Sequence, residues 1–148
     1  MTVLFVDSSV LVRAYLADED GHAAAYSQVF GSEPVIASEL ARVEVTRAFV
    51  AAVRGRRLTR SVGARLLERL DYDLADLGVV RMIEFDGPPT LARARELVLE
   101  HGLRTLDTIH LAVADREGRA LAGPDELIFL TRDREQAQVA RALGLAVA

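Results

Sequence analysis

The chain has 148 residues, 51% hydrophobic and 27% charged, with a net charge of −4 and no cysteine. That length can bury a self-sufficient core, and the missing cysteines exclude both a disulfide framework and thiolate–zinc chemistry. All 18 basic residues are arginine, and the missing lysine removes P-loop nucleotide hydrolases and Schiff-base chemistry, which need its amine. Asparagine is absent as well, so the arginine excess reads as coding bias rather than as selection for phosphate contacts. The run Val3–Val6 is too short for a signal peptide, and the longest uncharged apolar stretch, Ala48–Val53, falls far short of a membrane span of roughly 20 residues. The expectation is one cytoplasmic domain over residues 1–148 with no membrane contact.

The elements follow in chain order. Val3–Val6 reads as a buried strand, and Asp7-Ser8-Ser9 supplies cap residues for a helix over Val10–Leu16. A polar break at Asp18–Gly21 precedes an Ala-rich helix reaching Phe30. Pro34-Val35-Ile36 is a second strand, after which Ser38 can cap a helix that runs to Arg54 and stops at Gly55. Thr59 can cap the next helix, whose Val62, Leu66, Leu67, Leu70 and Leu74 keep a helical period. Val79–Phe85 is a strand candidate, and Asp86-Gly87-Pro88-Pro89 suits the start of a helix ending at Gly102. A helix over Thr105–Arg116 and a Gly-containing loop lead to the strand Leu127–Leu130. A last helix, Arg134–Leu143, stops at Gly144, and Leu145–Val147 can form a final short strand.

Short apolar strands alternating with helices predict an α/β fold, a three-layer α/β/α sandwich around a mostly parallel sheet. Ligands bind such sheets at the carboxyl ends of the strands. Asp7 and Asp133 both lie there, although either can also be a simple helix cap. Glu44 and Asp107 instead sit inside predicted helices among apolar neighbours, where a carboxylate needs a partner, a proton or a cation. Converging carboxylates suit a hard, oxygen-binding ion such as Mg²⁺ or Mn²⁺, which activates water and stabilises a phosphodiester transition state.

Four blocks carry a resemblance: Val6-Asp7-Ser8-Ser9, the Ser38–Ala48 helix with Glu44, Leu106-Asp107-Thr108-Ile109-His110-Leu111-Ala112, and Leu130-Thr131-Arg132-Asp133. In this order they resemble the signature blocks of the PIN-domain family, and the small stand-alone chain is most similar to VapC-type toxins of toxin–antitoxin pairs. The resemblance implies a metal-dependent endoribonuclease whose Asp7, Glu44, Asp107 and Asp133 bind Mg²⁺ or Mn²⁺, with Ser9 and Thr131 supporting the cluster or contacting phosphate. It further implies an RNA substrate, a cognate antitoxin and a homodimer. A housekeeping RNA-processing nuclease and a non-catalytic binding module of the same fold are the alternatives.

Other residues read more plainly. Glu39 projects to a different helix face from Glu44, and Asp115 lies about 12 Å along the helix from Asp107. Asp71, Asp73 and Asp76 read as a solvated helix edge, and His110 as a packed residue bonded to backbone, with a general base as its alternative. Arg54, Arg56, Arg57 and Arg60 surround a turn and can steer RNA, hold an acidic partner segment, or be solvated. Phe30, Phe49, Val50 and Val53 are candidates for a surface that pairs with another chain.

Overall fold

A computed structural model describes residues 1–148. Strands β1 (Thr2–Val6), β2 (Val35–Ser38), β3 (Val80–Ile83), β4 (Glu126–Leu130) and β5 (Ala146–Val147) form one all-parallel sheet in the order β3-β2-β1-β4-β5. Parallel neighbours need crossover connections, and helices supply them. Helices α1 (Ser8–Tyr15) and α2 (His22–Val29) join β1 to β2, and α3 (Leu40–Arg54) and α4 (Arg60–Asp73) join β2 to β3. Next come α5 (Gly87–His101), α6 (Thr105–Val113) and the short α7 (Arg119–Ala122) before β4, and α8 (Arg134–Ala142) before β5.

Side chains alternate across each strand, and β1 distributes them cleanly. Leu4 and Val6 enter a core shared with α1 to α4, whereas Val3 and Phe5 enter a second core built with α5, α6 and α8. The result is the expected three-layer α/β/α sandwich. Phe49 is fully buried in the first core, edge-on to Tyr15 at 5.7 Å, so it belongs to the interior and not to an outer pairing surface.

Local chemistry sets the helix ends. Asp7, Thr59 and Asp133 each accept a backbone N–H in the first turn of α1, α4 and α8. Ser38 departs from its expected role: it ends β2, and its hydroxyl accepts from Leu40 N at 3.3 Å, one position earlier than a true cap. β3 is shorter than Val79–Phe85, as befits an edge strand whose flanks, Val79 and Glu84, are exposed. Gly102 ends α5 at φ 68°, where a Cβ would be strained.

The largest difference from the sequence reading follows α6. A loop was expected after Arg116, but the helix continues through a π turn, Ala114–Gly118, into α7. Packing accounts for this: a Cβ on Gly118 would lie 3.3 Å from both Phe5 and Leu127, so the missing side chain lets the widened turn lie against β1 and β4.

Candidate active site

The chain leaves β1 toward β2 and β3 on one side and later returns to β4 on the other. The carboxyl ends of β1 and β4 therefore form the topological switch point of the sheet. Val6 is in register with Leu130, and Asp7 N donates to Leu130 O at 3.0 Å, which sets Asp7 beside Thr131. A cavity of about 410 Å³ opens here, and Asp7, Glu44, Asp107 and Asp133 all line it.

Four elements deliver these acids, and three arrive at helix N-termini. Asp7 caps α1, accepting from Ser9 N at 3.2 Å; Asp133 caps α8, accepting from Gln136 N at 2.9 Å; Asp107 lies in the first turn of α6. The partial positive charge of three helix N-termini thus offsets part of the repulsion among the carboxylates. Asp7 is almost completely buried. Asp133 therefore both caps a helix, as its bland reading held, and lines the cavity.

Glu44 arrives differently. The core stripe of α3 is Ala41, Val45, Phe49 and Ala52, and Glu44 sits at its edge, half-buried. Burial pushes its carboxyl up, but hydrogen bonds from His110 and Ser8 and the charge of His110 hold it below the ordinary 4.5. His110 is fully buried and donates from Nε2 to Glu44 Oε1, so the expected bond to backbone is replaced by one to a carboxylate 66 residues away. Burial disfavours the imidazolium, yet Glu44, with Asp7 and Asp107 nearby, outweighs it and raises the pKa above 6.5. Nδ1 of the ring is buried without a partner.

Asp107 moves the other way. Burial raises its pKa above the ordinary 3.8 and Asp7 and Asp133 add to this, against the opposing pull of Arg104. Arg104 precedes α6 and bridges two of the acids, donating from Nε to Asp107 Oδ2 at 3.0 Å and from Nη2 to Asp133 Oδ2 at 3.1 Å. No three acidic or imidazole groups stand close enough to enclose an ion as they are. Their present partners are Arg104 and His110. The donor set is nonetheless all oxygen, which fits a hard divalent ion once Arg104 yields its place.

The hydroxyls of Ser9 and Thr131, expected to support the cluster or contact phosphate, are engaged within the protein. Ser9 Oγ accepts from Arg132 N at 3.1 Å; Thr131 Oγ1 accepts from Asp133 N at 3.0 Å and donates to Gln136 Oε1 at 2.6 Å. Gln136 is fully buried and donates from Nε2 to Asp107 O at 3.1 Å and, more weakly, to Asp7 Oδ1 at 3.4 Å. The sequence reading missed Gln136, Ser8, Arg104 and the Glu44–His110 pair. A signal for Gln136 was present, because it lies one helical turn before the buried Ala140.

Residues set aside fall outside the cavity. Glu39 is exposed, and Asp115 pairs with Arg93 and Arg119. Asp73 corrects the solvated-edge reading: it is fully buried, accepting from Tyr15 Oη and Arg69 Nε, both at 2.8 Å. In the basic turn, Arg57 is taken up by Asp18 and Glu19, while Arg54 and Arg60 border an apolar groove of about 450 Å³ between α3 and α4. That groove holds no carboxylate, so the acidic cavity is the candidate site.

A three-layer α/β/α domain with four acids gathered at its switch point defines a class, and sequence comparison agrees: the family model described as PIN domain matches residues 4–142, and the chain belongs to that family. Within it, the chain is 31% identical over 147 residues to Ribonuclease VapC46 of Mycobacterium tuberculosis, covering 99% of this chain and 97% of that protein. The crystal structure of PAE2754 from Pyrobaculum aerophilum has the same fold, with a TM-score of 0.65 at 23% identity over 99% of this chain and 92% of the other. No helix is long and apolar enough to cross a membrane.

Proposed function

We propose that the protein is a VapC-type toxin, a cytoplasmic endoribonuclease that depends on Mg²⁺ or Mn²⁺ held by Asp7, Glu44, Asp107 and Asp133. The observation that carries this is the convergence of four carboxylates, from four separate elements, on one cavity at the sheet's switch point. A ribonuclease name on a relative that matches nearly end to end supports the same reading. Such an ion supplies Lewis acidity toward the phosphodiester and makes water a better nucleophile. The chain's own residues position the donors. Ser9 N and Gln136 orient Asp7, His110 and Ser8 hold Glu44 ionised, and Thr131 ties the Asp133 loop to Gln136.

Purified protein is expected to cleave single-stranded RNA in Mg²⁺ or Mn²⁺, to stop in excess chelator, and to recover when the ion is restored. Undiminished cleavage in chelator would remove the metal, and no cleavage in any ion would remove the ribonuclease reading.

The same reading includes two protein partners, a second copy of the chain and a cognate antitoxin. Val43 is 68% and Val50 38% exposed on α3, and Val50 lines the apolar groove shared with α4, an outer face suited to a protein contact. Sedimentation at micromolar concentration is expected to find a dimer, and expression without the antitoxin is expected to arrest growth. A monomer would withdraw the dimer, and normal growth would withdraw the toxin.

A further inference from the structure

Arg104 is the one arginine lining the cavity whose partners are the candidate ion-binding acids. Arg13, on the same wall, is pinned through its guanidinium to the carbonyls of Ser9 and Asp20, and Arg47 pairs with no carboxylate. Arg104 differs from both in how it is held. Its side chain is 79% exposed, so little packs on the stem, and only the guanidinium is engaged, by Asp107 and Asp133. Its backbone, by contrast, is a fixed pivot: the carbonyl accepts from Thr108 N at 3.0 Å and from Thr108 Oγ1 at 2.7 Å.

Arg104 donates to Oδ2 of both carboxylates, and a divalent cation bridging the same two groups would stand against the charge of the guanidinium, so the two compete for the pair. Binding of an ion to Asp107 and Asp133 therefore releases a cationic fork at the rim of the cavity, on a stem free to turn. The planar fork matches a phosphate in two parallel hydrogen bonds.

Resting on the ribonuclease reading above, we infer that Arg104 is an exchangeable arm. It neutralises Asp107 and Asp133 while the ion is absent, and it binds a backbone phosphate of the RNA once the ion has displaced it. Arg104 is thus a substrate-positioning residue as well as the ion's resident competitor, and RNA affinity is coupled to ion occupancy through one side chain.

The test separates the two halves of the exchange. Mn²⁺ binding is titrated by electron paramagnetic resonance, without substrate, on the wild-type chain and on Arg104→Gln and Arg47→Gln. Arg104→Gln is expected to bind Mn²⁺ about fivefold more tightly, the scale of an exposed ion pair, and Arg47→Gln to stay within about twofold. Binding of a cleavage-resistant 2′-O-methyl phosphorothioate oligoribonucleotide is then followed by fluorescence anisotropy. Arg104→Gln should lose about tenfold in affinity with Mn²⁺ present, the scale of a charged hydrogen bond, and less than about twofold in chelator. Equal RNA losses in the two conditions, an unchanged Mn²⁺ affinity, or equal tightening by Arg47→Gln would each overturn the exchange while leaving the ribonuclease reading standing. A wild-type protein that binds no Mn²⁺ would overturn the ion site and the exchange together.

Discussion

Asp107→Asn is expected to lower RNA cleavage by about three orders of magnitude, ~4 kcal/mol in the activation barrier, while the protein stays folded. The substitution keeps the size and hydrogen-bonding reach of the side chain and removes only its charge. Two effects on stability then oppose each other. Burial and the neighbouring Asp7 and Asp133 already push this carboxyl toward its neutral form, so removing the charge relieves repulsion. Against that, the first turn of α6 loses a favourable interaction with the helix dipole, and Arg104 keeps only Asp133. Each is worth about 1 kcal/mol or less, so the thermal midpoint should move by only a few degrees. Folded Asp107→Asn protein that cleaves RNA at the wild-type rate would remove Asp107 from the chemistry.

Where the sequence reading singled out residues that line one cavity, the signal was local. Asp7 directly follows one apolar strand and Asp133 comes three residues after the end of another, and Glu44 and Asp107 break the apolar pattern of helices with a charge that burial makes costly. Both kinds of signal can be read within a few residues of the acid. Where it failed, the deciding contact was distant. His110 meets Glu44 across 66 residues and Tyr15 meets Asp73 across 58, so neither pairing leaves a trace in the spacing around either partner. Asp73 was placed with Asp71 and Asp76 because all three share a polar stretch, yet the hydroxyl of Tyr15 and the guanidinium of Arg69 make its burial tolerable. The π turn was hidden for a similar reason: Ala114–Gly118 looks like a helix end, and only its packing on Phe5 and Leu127 explains why the chain stays helical. The arginines near Gly55 stand out in the sequence by their density, whereas Arg104, a single residue, contacts both Asp107 and Asp133.

Gln136 shows how much of the site lies behind the carboxylates, and its replacement should cost both stability and activity. It is fully buried at the start of α8, and its one amide touches three parts of the cluster: the Thr131 hydroxyl, the Asp107 carbonyl and the Asp7 carboxylate. Gln136→Leu fills nearly the same volume but takes from Thr131 its 2.6 Å acceptor, leaving only Asp7 Oδ2 at 3.4 Å, and takes one donor each from Asp7 and the Asp107 carbonyl. Unpaired buried polar groups of this kind cost about 2–3 kcal/mol, which should appear as a lower denaturation midpoint with an unchanged denaturant slope. Asp7 would also lose one of the three groups that orient it, and loss of such outer support typically lowers metal affinity or activity by about 10- to 100-fold. Gln136→Glu separates shape from hydrogen bonding. The carboxylate can still accept from Thr131, but it places a second negative charge beside Asp7 and cannot donate, so at neutral pH it should be at least as damaging as leucine. Wild-type stability and cleavage in Gln136→Leu would mean that the amide is filler and that the Ser9 backbone and the Thr131 hydroxyl suffice to hold Asp7.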